Sequence, residues 1–189
     1  MKERPILFSG PMVKAILDGR KTQTRRVVRP KEWANPAGRP LLNRCPYGAP
    51  GDKLWVRESW RPRQPGAVYY RADSYDYQHD ELRAGGAVPQ WRPSIHMPRW
   101  ASRITLEVMA VRVERLQEIS PDEATAEGAI EWATRCGRND ALDGRVKGIP
   151  YPINTFAELW DSINAKRTQW LSNPWVWVIE FRMTKDAKE

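Results

Sequence analysis

The sequence predicts an α+β fold in which a small, mixed, mostly antiparallel sheet curls into a β-barrel, flanked by short helices and interrupted by long loop insertions. Three observations carry this expectation. "ASRITLEVMAVRVERL" (101–116) alternates apolar side chains with the two-residue period of a strand, and "NPWVWVIEFRM" (173–183) is a clear run of strand formers. The elements run helix, strands, short helix, helix, last strand, without the repeated strand–helix units that build a parallel sheet. Sixteen prolines among 189 residues require irregular connections and exclude an all-helical bundle.

In chain order, Ser9 is placed to cap a first helix and Pro11 lies in its first turn. Met12, Val13, Ile16 and Leu17 form its apolar stripe, and Gly19 marks its end. Residues 22–28 read as extended, and 29–52 as a proline- and glycine-rich connection closing on the turn signal "YGAPGDK". "LWVRESW" (54–60) is rich in strand formers. Residues 61–100 hold no sustained period and read as an insertion with one short strand near "AVYYRA". In the long strand 101–116, Ile104, Leu106 and Val108 share one face and Val111 and Val113 the other, so a bulge is expected near Met109 and Ala110. "SPDEATAEGA" (120–129) predicts a short helix with Ser120 as cap, Pro121 at its first position and Glu123 completing a capping box. A polar loop follows over 134–152. "NTFAELWDSINAK" (154–166) predicts an amphipathic helix burying Phe156, Leu159, Trp160 and Ile163. The last strand places Trp175, Trp177, Ile179, Phe181 and Met183 on one side.

The length suits one domain spanning 1–189, with insertions at about 29–52, 61–100 and 130–150. Ten tryptophans supply a core and argue against wholesale disorder. A net charge of +8 favours an anionic partner, nucleic acid or nucleotide first. Cys45 and Cys136 form no CxxC pair, and His79 and His96 stand near neither, so no metal site is expected. No apolar run has the length of a signal peptide core or a membrane span, which predicts a cytoplasmic protein without a membrane partner.

The stretch with the most chemistry is "DGRKTQTRR" (18–26), where a lysine, two threonines and three arginines follow an apolar helix. On a strand, Thr22, Thr24 and Arg26 share a face and Gln23 and Arg25 the other. Lys21 converges on Thr24 only from the turn between helix and strand, and Gly19 makes that turn feasible. A threonine hydroxyl is a poor nucleophile until a base takes its proton, and a neutral lysine can serve. An unperturbed lysine is only about 0.04% neutral at pH 7, so a working base needs its pKa lowered by roughly 3 units, about 4 kcal/mol. Burial beside Arg20, Arg25 or Arg26 acts in that direction. From residue types alone, a solvated basic strand edge, or cations that only hold phosphates, is the favoured reading.

"GRKTQTRR" resembles the signature of the ASCH domain, a small barrel of the PUA-like superfamily, and is most similar to bacterial ASCH enzymes that hydrolyse N4-acetylcytidine. Gly19, Arg20, Lys21, Thr22, Thr24 and Arg26 match their pattern position by position. "RPILFSGPMV", "CPYG…PGDKLWVRE", "RPSIHMPRWASRI" and the closing "NPWVWVIEF" extend the likeness to the long phage and prophage members. The resemblance implies a catalytic group of Thr24, Lys21 and Glu127, the last supplied by "ISPDEATAE", with Arg26 holding an oxyanion. Glu127 stands one turn beyond the capping Glu123 and is free to point elsewhere, or both simply form an acidic exposed face.

Other candidates surround this group. Glu58 alternates with Arg57 on its strand and either lines a ligand site or forms a rim ion pair. Trp60, like Trp55, has a face that can stack a base. Arg25 is a further candidate for substrate or oxyanion binding. "WRPSIHMPRW" (91–100), with Tyr69, Tyr70, Arg71 and His96, reads either as a lid over a nucleotide or as a solvated loop. The expected activity is an amidohydrolase acting on N4-acylated cytosine as base or nucleoside, without metal or organic cofactor and without an evident protein partner. A non-catalytic module reading a modified base in RNA or single-stranded nucleic acid is the alternative, and a nuclease the third.

Overall fold

The computed structural model of the chain describes residues 1–29, 44–62, 67–73, 90–135, 151–164 and 166–184. Cys136, His79 and the greater part of the three insertions lie outside these residues.

A five-stranded sheet forms the frame. Its strands are β1 (Glu3–Leu7), β2 (Gln23–Val27), β3 (Lys53–Arg57), β6 (Thr105–Arg115) and β7 (Trp175–Met183), in the spatial order β1-β3-β6-β7-β2. All pairings are antiparallel except β1 with β3. A two-stranded ribbon of β4 (Trp60–Pro62) and β5 (Val68–Tyr70) stands apart. The helices are α1 (Gly10–Leu17), α2 (Pro121–Ala126), α3 (Ala129–Arg135) and α4 (Ile153–Asn164).

The α+β class and the mostly antiparallel sheet are as expected, but barrel closure is not. Among the described residues no ladder joins β1 to β2, and both are edge strands. The two edges meet through one side chain: Arg26 Nη2 donates to the Leu7 carbonyl at 2.6 Å. The seam between them therefore stays open, and both hollows described below are lined by Leu7 and Arg26.

Strand β7 explains why the sheet holds. Val176, Trp177, Val178 and Ile179 have no exposed surface, so this strand is buried on both faces between β2 and β6. The bulge expected in β6 is present, with the register against β7 shifting between Val108 and Ala110. It turns Met109 outward, 45% exposed, while Val108 stays in the core.

Several local expectations need correction, and one element is new. The expected strand 54–60 ends at Arg57, and Trp60 opens a different ribbon. Strand β1 is an element that alternation did not reveal, because Pro5 interrupts it; an edge strand tolerates the missing N–H. Residues 129–135 are helical, where the third insertion was expected to begin, since Ala129, Trp132 and Ala133 bury an i, i+3, i+4 stripe. Ile163 is 59% exposed rather than buried, and Met183 lies 42% exposed at the end of β7. No helix among the described residues is long and apolar enough to cross a membrane.

Candidate functional site

The geometry of the site begins with two turns. Helix α1 ends at Asp18, and Gly19 adopts a left-handed φ of 74° that reverses the chain. The backbone N–H groups of Arg20 and Lys21 both return to the Ala15 carbonyl, at 2.9 and 3.0 Å. Lys21 is thereby held on the turn, ahead of β2, with its side chain pointing inward and 3% exposed. The second turn follows α2. Ser120 caps that helix and Glu123 completes the box, as the sequence predicts. Glu127 is its C-terminal cap, and Gly128 follows at φ 75°. A Cβ on Gly128 would stand 3.4 Å from Lys21 Cβ and 3.3 Å from Ala15 Cβ, so glycine lets the two turns pack closely.

The result is a buried ionic cluster. Lys21 Nζ donates to the Gln23 carbonyl at 2.6 Å, the Glu127 carbonyl at 2.7 Å and Glu127 Oε2 at 3.0 Å. Glu127 Oε1 accepts from Arg25 Nη1 at 3.3 Å. Arg25, whose side chain has no exposed surface, also reaches Glu123 at 3.0 Å and Glu114 at 3.2 Å. Arg112 extends the cluster to Glu114, Glu123 and Glu180. Burial pushes the Lys21 amine below the ordinary lysine range; the Glu127 carboxylate opposes this, while Arg26 and Arg25 add to it.

A cavity of about 360 Å³ opens over this cluster, within the size range of small-molecule sites. Lys21, Thr24, Arg25, Arg26 and Glu127 all line it. The three groups of the expected catalytic set therefore share one hollow. Much of the remaining lining is apolar, built from Phe8 and Met12 and from Phe156, Leu159 and Trp160 of α4. Ser59 and Ser94 contribute hydroxyls, and Ile163 and Asn164 also line it. Ser94 comes from the 91–100 segment, so that segment does reach the cavity. Its Met97, however, is buried with Trp60 and Ala101 in a small core of their own.

The remaining candidates fall elsewhere. Arg26 lines the cavity, stands 5.2 Å from the Phe8 ring centroid and is braced on Leu7. Arg25 is a wall residue whose guanidinium is committed to three carboxylates, which makes it a positioning group for Glu127. Glu58 does not line the cavity; it accepts from Arg103 at 2.9 and 3.1 Å, and Arg103 also grips Asp73. Burial raises the Glu58 carboxyl above its ordinary value, with Arg103 opposing. Trp60 is 2% exposed and packs edge-on against Trp100 at 5.7 Å, so its ring is not offered to a ligand. Sequence reasoning missed the aromatic wall, because Phe156 and Trp160 sit at positions that read as core and Phe8 lies in a segment without a periodic signal. No group of three or more metal-ligating side chains occurs among the described residues.

No protein-family model and no curated protein matches the chain by sequence. Two solved structures resemble it. One is an ASCH domain from Lactobacillus crispatus JV V101, at 11% identity and a TM-score of 0.38, covering 96% of this chain and 79% of that one. The other is a DUF984 protein from Enterococcus faecalis V583, at 9% identity and a TM-score of 0.42, covering 97% and 81%. Neither likeness bears on the chemistry of the cavity.

Proposed function

We propose that the protein hydrolyses the exocyclic amide of an N4-acylated cytosine. The observation that carries this reading is the convergence of Lys21, Thr24 and Glu127 on one cavity, with the lysine buried and its pKa lowered. The resemblance of "GRKTQTRR" to N4-acetylcytidine-hydrolysing ASCH enzymes supplies the substrate class. A pure binding pocket has no need of an amine tuned toward neutrality beside a hydroxyl.

Lys21 enters the cycle as the free amine. The structure shows Nζ with three oxygen acceptors, so to act as base the neutral amine gives up one of them and turns its lone pair toward the Thr24 hydroxyl. Thr24 Oγ attacks the acyl carbonyl as its proton passes to Lys21, and Arg26 faces the oxyanion through the N–H groups not held by Leu7. Lys21 returns the proton to the exocyclic nitrogen as the C–N bond breaks, releasing cytosine and leaving an ester on Thr24. Water attacks that ester, gives its proton to Lys21, and the carboxylic acid departs as Thr24 recovers its hydrogen. The sum is amide plus water giving amine plus acid. Glu127 holds Lys21 in place and is itself held by Arg25.

The test is the ultraviolet change as N4-acetylcytidine becomes cytidine, followed with the wild-type protein and with Lys21→Ala. Turnover that Lys21→Ala abolishes supports the reading. A wild-type protein inert toward N4-acetylcytidine both as nucleoside and within RNA, yet binding oligonucleotides in a salt-sensitive way, would favour the non-catalytic reader, the alternative that the charge of +8 suits.

A further inference from the structure

We propose that a second hollow, lined by arginines and adjoining the cavity, binds the phosphate of a nucleotide, so that the acylated base arrives on a nucleotide or a nucleic-acid strand rather than as a free nucleoside. The identity of the base rests on the hydrolytic reading; the phosphate does not. The hollow measures about 370 Å³ and is lined by Arg4, Arg26, Arg29 and Arg57, together with Tyr47 and a short apolar floor. Among the described residues no carboxylate lines it.

Two further observations point to an anion. Among the described residues, Arg4, Arg26 and Arg57 pair with no carboxylate, whereas Arg25, Arg99, Arg103, Arg112 and Arg182 all do. The Nε–H groups of Arg4, Arg26 and Arg57 are moreover buried without a hydrogen-bond acceptor. Buried donors without acceptors are costly, and crowded guanidinium groups repel one another. A phosphate relieves both, because its oxygens match the planar fork of arginine.

Placement ties the hollow to the cavity. Arg4 and Leu7 belong to edge strand β1, Arg57 pairs in register with Leu7, and Arg26 bridges from β2. Leu7 and Arg26 line both hollows, so a molecule lying along the open seam can place a base in one and a phosphate in the other. Arg57 is steadied for this by stacking 5.4 Å from the Trp55 ring centroid and by donating to the Ile95 carbonyl.

The experiment compares equilibrium binding of cytidine, cytidine 5′-monophosphate and a short cytidine-containing RNA to the full chain. Either phosphorylated probe is expected to bind at least about tenfold more tightly than cytidine, as charge-assisted paired hydrogen bonds imply. The advantage should shrink as salt rises. A gain with the mononucleotide assigns the site to a phosphomonoester, and a gain with the RNA alone assigns it to a strand. In the double variant Arg4→Ala/Arg57→Ala the affinity ratio is expected to fall toward one, and in Arg4→Lys/Arg57→Lys to recover in part. Equal affinity of the wild-type protein for all three probes overturns the proposal, as does a ratio that survives the alanine pair. Phosphate-dependent binding without turnover of N4-acetylcytidine in any form, free, as its 5′-monophosphate or within the RNA, leaves the phosphate site standing and removes the hydrolytic reading; turnover without any phosphate gain does the reverse.

Discussion

Lys21 Nζ lies 3.0 Å from Glu127 Oε2, with the two side chains 2% and 4% exposed and 106 residues apart in sequence. This contact joins the turn after α1 to the turn after α2, and the proposed chemistry depends on it.

The first consequence is a pH profile. Only the neutral amine can take the Thr24 proton, so turnover rises with pH as Lys21 deprotonates. Since burial lowers its pKa, the midpoint of that limb should fall below the ordinary lysine value of 10.5. Lys21→Arg keeps a cation but provides no base, and is expected to lose about 10²–10⁴-fold in rate together with the limb itself. Rate measurements across pH on both proteins check this.

Glu127 affects that limb in a way that separates positioning from mere folding. Its carboxylate raises the Lys21 pKa, so Glu127→Gln should move the limb to lower pH. Glu127→Ala leaves Lys21 and Arg25 facing each other without their shared counter-charge. Breaking a buried pair in this way typically costs about 3–5 kcal/mol, to be read by chemical denaturation.

Glu58 tests the boundary of the site. It lies outside the cavity and pairs with Arg103, so Glu58→Gln should leave hydrolysis near the wild-type rate. Its effect belongs to stability. Burial raises its carboxyl pKa above the ordinary 4.5, so between 4.5 and the raised value the native state holds more protons than the unfolded chain. The Glu58 contribution to stability is therefore present at low pH and declines as pH rises through that window. Unfolding midpoints measured across that range should lose this slope in Glu58→Gln.

The apolar wall supplies a fourth expectation. Phe156 is 2% exposed, lines the cavity, and packs edge-on against Trp170 at 6.1 Å. Phe156→Ala should cost about 3–5 kcal/mol in stability and enlarge the hollow. A raised KM with a smaller change in kcat would show that this wall holds the base.

Much of this was legible in the sequence where local chemistry decides the outcome. The phase slip at Met109 and Ala110 is a bulge, the Ser120–Glu123 box caps its helix, and Lys21 sits on a turn that Gly19 permits. What stayed hidden depends on contacts between distant segments. The sequence offers Arg25 as a candidate for ligand binding, but its partners Glu114, Glu123 and Glu127 come from β6 and the α2 region. Glu123 caps its own helix as expected, yet it also grips Arg25 and Arg112. Strand β1 hid behind Pro5, and with it the open seam along which both hollows lie.

The most direct measurement is the hydrolysis rate of N4-acetylcytidine by Thr24→Ser and Thr24→Val, beside the wild-type protein. Serine preserves the attacking hydroxyl, and valine matches threonine in shape without it. If Thr24 is the nucleophile, the serine variant retains turnover and the valine variant loses it while staying folded. Sustained turnover by Thr24→Val would contradict the covalent route and leave Lys21 and Glu127 without the group they are held to serve.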